Sequence, residues 1–268
     1  VGAFPRLQRT SSTLPSRVRI GVLLRAWFSS PIGRTVAGLI TSAVFDELLD
    51  QFAAFERALA DDGAVILKFW MHLSKAAQKK RLKSFEKDPL ERWRVTKEQW
   101  RHWRMFDKFV AAADRAIRRT STDQAPWQIV EGEDEHYRSI VVGVELRDAI
   151  RRGLERAREG RTRPRATTKT REGRPARVID RVARQFNVLD NLDLSRQLSD
   201  ARFKTKLAEQ QSRLNLLQRR ARQQGVSTIA VFEGWDASGK GGAIRRVTGA
   251  LDARDYDVIP VAAPTEEE

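Results

Sequence analysis

The segment 227–246 constrains the fold of this chain more than any other. Residues 228–233 form a short apolar run of the kind found in buried strands, and a glycine-rich turn follows at once. Gly234, four further residues, Gly239 and Lys240 have the spacing of a loop whose backbone N–H groups converge on phosphate oxygens. Apolar residues at helical spacing come next. The sequence therefore predicts a strand, a phosphate-binding turn and a helix in succession.

The turn departs from the commonest form of such loops at the position after the lysine. Gly241 stands where a serine or threonine usually helps to hold Mg²⁺, so no hydroxyl is available there. Asp236 lies within the turn, and a carboxylate oxygen is a ligand that this hard cation prefers. Asp236 is therefore the candidate metal ligand. The alternative is that Asp236 and Ser238 only cap the helix that follows.

Short apolar runs alternate with helical patterns along most of the chain. This alternation is typical of a parallel sheet flanked by helices, so the sequence predicts an α/β fold. From Trp100 to Ile117 aromatic and aliphatic residues recur at three- and four-residue spacing, which favours a place in the core over a surface that stacks bases. We predict strands at residues 18–24, 65–73, 128–131, 228–233 and 258–262.

An excess of basic residues indicates an anionic partner. The formal net charge is +15, and part of the excess lies in residues 158–177, where arginine, lysine, glycine and proline interrupt the apolar periodicity. We interpret this segment as a linker. It is either a solvated tether or an additional contact for a polyanion, and the sequence leaves both readings open.

The composition excludes several classes of protein. Cysteine is absent, which excludes disulfides and cysteine-ligated metals, and the histidines show no metal-ligand spacing. No apolar run approaches the roughly 18 residues that a membrane-spanning helix needs, and the first residues show no signal-peptide pattern. We therefore expect a soluble protein of the cytoplasm with no membrane partner.

The loop sequence Gly-Trp-Asp-Ala-Ser-Gly-Lys-Gly-Gly, followed by two arginine positions and by Pro-Thr-Glu-Glu-Glu at 264–268, resembles the type-2 polyphosphate kinases. That resemblance implies a P-loop kinase fold and a reaction in which polyphosphate, with Mg²⁺, phosphorylates a nucleotide; two-domain members convert AMP to ADP. It implies catalytic roles for Lys240, Asp236 and Arg245, a Mg²⁺-binding role for Asp236, and phosphate contacts from Gly234, Ala237, Ser238, Gly239, Lys240, Gly241, Gly242 and Arg254.

The first half of the chain resembles a different portion of the same domain. Residues 14–28 are similar to its Walker B segment, and residues 55–127 follow its lid and closing segments in order. The resemblance implies that a basic cluster near the second predicted strand faces polyphosphate, while the residues themselves are equally consistent with a solvated helix face. The cluster comprises Lys68, Lys75, Lys79, Lys80, Arg81 and Lys83.

Departures from the family pattern in this first half fall at positions that matter for catalysis. Leu24 stands where the Walker B acid is expected, Ala26 where a serine is expected, and Phe85 where a second lid arginine should follow Arg81. Phosphoryl transfer depends on metal and cationic charge around the migrating group, so this portion looks non-catalytic. Gln99 replaces an aspartate of the family, and it completes a capping box for the next helix.

We expect the chain to be an internal piece of a two-domain protein. Residues 1–157 would be the later part of a degenerate first domain, 158–180 the basic linker, and 181–268 the beginning of a second domain that carries the loop. The leading hypothesis is a polyphosphate-dependent AMP kinase that is incomplete in this piece, with polyphosphate and AMP or ADP as partners. The alternative is a non-catalytic protein that binds polyphosphate or nucleic acid; nucleic acid is the less favoured partner, and a homo-oligomer is compatible with the sequence.

Overall fold

The protein is described by a computed structural model. The structure describes Leu14 and residues 18–24, 26–162, 187–189 and 192–260.

Five strands form one sheet in the order β3-β2-β4-β1-β5, and all four pairings are parallel. The strands are β1 (Ile20–Leu24), β2 (Val65–His72), β3 (Trp127–Glu131), β4 (Thr228–Gly234) and β5 (Tyr256–Pro260). Each overlaps a predicted strand; β5 begins earlier than expected, and the predicted strand residues 261–262 lie outside the described residues. The predicted parallel α/β fold is confirmed.

Helices cover both faces of this sheet. They are α1 (Ser29–Val36), α2 (Ser42–Asp61), α3 (Lys75–Lys87), α4 (Lys97–Arg104), α5 (Phe106–Thr120), α6 (Glu135–Thr162), α7 (Asp200–Gln224) and α8 (Lys240–Thr248). Helices α1, α2 and α5 pack on one face, and α6, α7 and α8 on the other. Because helices cover both faces of the sheet, all eight residues of β2 and six of the seven residues of β4 are buried. Among the described helices, none combines the length and the apolar character that crossing a membrane requires.

Lys68 belongs to the core and not to a phosphate-facing surface. Its side chain is 0% exposed, and its Nζ donates to the carboxylate of Glu56 and to the carbonyl of Thr120. Burial lowers the pKa of Lys68 and raises the pKa of Glu56. Its inclusion in the basic cluster was wrong, because the central strand that carries it is buried on both faces.

The helical pattern from Trp100 to Ile117 is divided at Met105 into α4 and α5. Phe106 and Ile117 on α5 are buried, whereas Trp100 and Trp103 on α4 are only half-buried. The prediction of core positions was therefore wrong for these two tryptophans, because the apolar stripe does not continue across the break. Their indole N–H groups donate to α3 and hold α4 beside it.

Strands from the two predicted domain portions lie side by side in the one sheet. β4 lies between β2 and β1. At the amino end of β4, Val65 N donates to Ser227 O (2.8 Å) and Thr228 N donates to Arg19 O (3.1 Å). Helix α6 continues to Thr162, past the predicted start of the linker, and residues 163–186 lie outside the described residues. The division into portions of two tandem domains stays a prediction.

Candidate functional site

The glycine-rich turn lies at the carboxyl end of β4, near the middle of the sheet. In parallel α/β sheets this edge is where ligands bind, because the connecting turns there open towards solvent. Helix α8 begins at Lys240, directly after the turn, with its N-cap at Gly239. The free N–H groups and dipole of this helix start point into the turn and favour an anion.

Two glycines of the turn are required by their surroundings. Gly234 has φ +127°, and a Cβ placed there would lie 2.3 Å from the carbonyl oxygen of Met71. Gly239 has φ +89°, and a Cβ there would lie 2.3 Å from the guanidinium carbon of Arg138. Ala237, between them, also has a positive φ of 62°. The turn is thus pressed against β2 and α6, and no side chain fits at either glycine.

Lys240 reaches back over the turn. Its Nζ donates to the carbonyl oxygens of Gly234 (2.7 Å) and Trp235 (2.8 Å). The hydroxyl of Ser238 is buried and has no hydrogen-bond partner among the described residues. Since that hydroxyl bonds to nothing and the N-cap is Gly239, Ser238 does not cap α8 as the alternative proposed. An orphaned hydroxyl and an ammonium group that border the same cavity suit an anionic ligand.

Asp236 is held by residues from two helices. Its carboxylate Oδ2 lies 3.1 Å from Nδ1 of His102 on α4, and its carbonyl oxygen accepts from Nε2 of Gln78 on α3 at 3.3 Å. The Asp236 side chain is 18% exposed, so it remains within reach of a ligand. Sequence reasoning missed His102, because its contact with Asp236 joins residues that are far apart in the chain.

Two arginines, the half-buried Arg81 and the buried Arg138, support the turn from behind. Arg81 donates to the carbonyl oxygens of Ala237 (2.8 Å) and Gly132 (2.7 Å), and Arg138 donates to Gly132 as well (3.0 Å). Burial lowers the pKa of Arg81; burial, together with the nearby charge of Arg81, lowers the pKa of Arg138 to about 10. Both remain charged near neutral pH and add positive potential beneath the turn. Sequence reasoning did not find Arg138, which has no motif around it.

A cavity of about 450 Å³ opens in front of the turn, and we call it the phosphate cavity. Three of its wall residues are positions where we predicted departures from a family pattern: Leu24 at the end of β1, Phe85 on α3 and Gln99 on α4. Arg94 stacks on Phe85, with its guanidinium carbon 4.7 Å from the ring centroid. The remaining walls are Leu82 and the turn residues Asp236, Ala237, Ser238, Gly239, Lys240, Gly241 and Gly242.

A second cavity, of about 150 Å³, lies on the other side of the turn, and we call it the aromatic cavity. Rings of Trp70, Phe109 and Trp235 line it, as do Gln78, Glu233 and Asp236. Asp236 therefore borders both cavities. The indole N–H of Trp235 donates to Nδ1 of His72 at 3.2 Å, and this hydrogen bond connects the turn to β2.

Of the two predicted arginines, only Arg254 is placed away from the turn, and the role of Arg245 stays a prediction. Arg245 is exposed on α8. Arg254 precedes β5 at the amino end of the sheet, opposite to the turn, and is 81% exposed while paired with Asp252. The hydrogen bond from Arg254 lowers the pKa of Asp252. A contact of Arg254 with phosphate at the turn therefore has no support from the geometry.

Asp236 is the one carboxylate among the described residues that line the phosphate cavity. Within the described part of the chain, no group of three or more histidine or acidic side chains could hold a metal ion alone. Mg²⁺ is usually bound through one or two carboxylates together with substrate phosphates, so one carboxylate beside a phosphate site suits it. The acidic residues Glu266, Glu267 and Glu268 at the end of the sequence lie outside the described residues.

Comparisons with known proteins agree on one family. The model of the family polyphosphate kinase 2 matches residues 3–158 and 197–268. A polyphosphate:AMP phosphotransferase of Pseudomonas aeruginosa is 43% identical over 257 residues, covering 95% of this chain and 49% of that protein. Another, of Pseudomonas syringae, is 39% identical over 269 residues, covering 99% of this chain and 51% of that protein.

A crystal structure of a polyphosphate kinase 2 from Pseudomonas aeruginosa PA01 is 40% identical and covers 90% of this chain and 42% of that one, with a TM-score of 0.39. The chain spans about half the length of the curated relatives it matches. The family match covers most of the chain and includes the glycine-rich turn with both of its flanking elements. The chain belongs to the polyphosphate kinase 2 family.

Proposed function

We propose that the protein transfers a phosphoryl group from polyphosphate to AMP, with the turn 234–242 holding the phosphates. The observation that carries this proposal is the turn itself, in which Lys240, the start of α8 and the orphaned hydroxyl of Ser238 face one cavity. Relatives that share 43% and 39% of their aligned residues with the chain are polyphosphate:AMP phosphotransferases.

In this reaction a phosphate oxygen of AMP attacks the terminal phosphorus of polyphosphate. The bond from that phosphorus to the bridging oxygen breaks, ADP forms, and the shortened chain leaves as an anion, with no covalent bond to the protein. Lys240 exchanges the carbonyl oxygens of Gly234 and Trp235 for phosphate oxygens, and the N–H groups at the start of α8 neutralise the migrating charge.

Asp236 is the residue that would hold Mg²⁺, together with phosphate oxygens of the substrate. When bound, that ion supplies charge neutralisation around the transferred group. His102 contacts the same carboxylate at 3.1 Å and restrains it. We propose Mg²⁺ because carboxylate and phosphate oxygens suit a hard cation and because this ion is commonly bound through one or two carboxylates together with substrate phosphates.

A second function, binding of polyphosphate without turnover, is favoured by the walls of the phosphate cavity. Leu24 supplies no carboxylate at the end of β1, and Phe85 supplies no charge on α3. Transition-state charge is then stabilised without a second carboxylate for the ion and without a second cationic side chain on α3. We therefore expect this 268-residue chain to bind polyphosphate and to form ADP slowly or not at all.

The test mixes the chain with Mg²⁺, polyphosphate and AMP and follows ADP, while polyphosphate affinity is measured in parallel. Lys240→Ala should weaken polyphosphate binding by about tenfold or more, since a charged hydrogen bond to phosphate contributes roughly 1.5–3 kcal/mol. Arg254→Ala is the matched control, because it removes one exposed positive charge at the opposite end of the sheet. Equal losses in the two variants would show that net charge, and not the turn, holds polyphosphate.

A further inference from the structure

A contact between an arginine and an aromatic ring borders the phosphate cavity. Phe85 lies on α3, and Arg94 lies in the 3₁₀ turn Arg92–Arg94 between α3 and α4; both line the cavity. The guanidinium carbon of Arg94 is 4.7 Å from the centroid of the Phe85 ring. Attraction between the cation and the electron-rich face of the ring holds the guanidinium against α3. A long side chain that could adopt many rotamers is thereby given a preferred position at the cavity wall.

This stacking uses the face of the guanidinium and leaves its edges for hydrogen bonds. The N–H donors of a guanidinium lie in its plane, in a fork that matches two oxygens of a phosphate group. Nη1 of Arg94 donates to Oε1 of Glu91 at 2.7 Å, the one hydrogen bond that this side chain makes within the described residues. The two side chains are 47% and 39% exposed, and an exposed salt bridge contributes little to stability. Phosphate oxygens can therefore replace Glu91 at small cost.

The positive charge that lines the phosphate cavity comes from two side chains. Among the described residues of its wall these are Lys240 and Arg94, while Asp236 is the one carboxylate. Lys240 belongs to the glycine-rich turn, whereas Arg94 belongs to a different element. A polyphosphate carries charge along its whole length, so the groups beyond those held by the turn need a further cation. Arg94 is the side chain of this wall that can supply it.

We propose that Arg94 contacts the phosphate chain in this cavity and that Phe85 is its positioning residue. On binding, Arg94 exchanges the carboxylate of Glu91 for phosphate oxygens and keeps its place on the Phe85 ring. Phe85 thus orients a charge that its own side chain does not carry. This inference rests on the proposed function, because that function supplies the phosphate ligand.

The test measures the affinity of the 268-residue chain for tripolyphosphate by calorimetry at a fixed Mg²⁺ concentration. Arg94→Gln removes the charge and keeps a polar side chain. We expect it to weaken binding about tenfold or more, the loss that corresponds to one charged hydrogen bond. Arg92→Gln is the matched control, because Arg92 lies in the same 3₁₀ turn, is exposed and does not line the cavity. At about 0.15 M salt the control should bind nearly as well as the native chain, since distant charges are screened.

A double-mutant cycle tests the positioning role of Phe85. Phe85→Leu removes the ring and keeps an apolar side chain, so it should weaken tripolyphosphate binding about two- to fivefold in the native chain. In the Arg94→Gln background the same substitution should have no effect, because no guanidinium remains to be positioned. An effect of Phe85→Leu on the fold alone would be the same in both backgrounds.

Equal affinities of Arg94→Gln and Arg92→Gln would overturn the phosphate contact, and equal effects of Phe85→Leu in the two backgrounds would overturn the positioning role. Lys240→Ala, measured alongside, separates this inference from the proposed function. If Lys240→Ala weakens binding and Arg94→Gln does not, the turn holds phosphate and the inference is refuted. If Arg94→Gln weakens binding and Lys240→Ala does not, the role of Arg94 is supported and the phosphate role of the turn is refuted.

Discussion

At the scale of single residues, the phosphate cavity is lined both by the charged residues of the turn and by apolar residues of other elements. Lys240 and Asp236 are the charged residues that we propose for phosphoryl transfer, while Leu24 and Phe85 line the same cavity with apolar surface. Leu24 is the last residue of β1, beside β4 in the sheet, and it lines the phosphate cavity, so a carboxylate there would lie at the wall of that cavity. We infer that one substitution can supply this carboxylate.

We therefore predict that Leu24→Asp raises the rate of ADP formation by the chain. A second carboxylate beside Asp236 gives Mg²⁺ the acid pair that it commonly uses, and such electrostatic support is worth roughly 10²-fold or more in rate. Leu24→Asn has nearly the same shape without the charge and is the matched control. The assay is ADP formation with polyphosphate and AMP at increasing Mg²⁺. The same rate in the two variants would contradict the assignment of this position.

Asp236→Asn should remove a proposed Mg²⁺ ligand, whereas Leu24→Asp should add one. It keeps the contact with His102 but removes the negative charge, so the Mg²⁺ dependence of polyphosphate binding should weaken. Titration of the chain with polyphosphate at several Mg²⁺ concentrations measures this. If the Mg²⁺ dependence of the variant equals that of the native chain, Asp236 does not hold the ion.

At the scale of elements, β2 and the turn are coupled through one buried histidine. His72 ends β2, is 5% exposed, and accepts from the indole N–H of Trp235 through Nδ1. Burial lowers its pKa to about 4. Protonation of the ring would place an uncompensated charge in the core and remove the acceptor that holds Trp235.

We predict that acid weakens the fold through this residue. Because the pKa of His72 is lower in the folded than in the unfolded state, the unfolded chain binds more protons between about pH 4 and pH 6.5. Stability is therefore present above pH 6.5 and is lost as the pH falls, by about 2 kcal/mol at pH 5. Urea unfolding at pH 7 and pH 5 measures the loss. His72→Gln, which keeps an acceptor and cannot become charged, should lose less stability over this range, and an equal loss would contradict the role given to His72.

At the scale of the whole molecule, the two parts of the chain on either side of the basic segment form one sheet. β4 carries the turn, but β1 and β2 flank it, and α3 and α4 supply the front of its cavity. A site made in this way needs both parts to be present. The covalent connection through residues 163–186 is not itself part of the described site.

We predict that brief trypsin treatment cuts first within residues 158–177, most readily beyond Thr162, where α6 ends. The segment is rich in arginine and lysine and lacks an apolar pattern, so nothing in its sequence predicts protection. Because β4 is paired on both edges, the two pieces should stay together in native size-exclusion chromatography and keep polyphosphate affinity. Initial cleavage in β2, or separation of the pieces, would contradict this description.

The sequence by itself determined the parallel α/β fold, five strand positions and the turn, because these depend on local apolar periodicity and on glycines at fixed offsets. It also identified Leu24, Phe85 and Gln99 as departures at what proved to be one cavity wall. Only the tertiary structure decided which distant residues meet there. It placed His102 against Asp236, put Lys68 in the core with Glu56, and left Arg254 at the far end of the sheet. These outcomes depend on strand order and helix packing, which bring together residues that no local pattern connects.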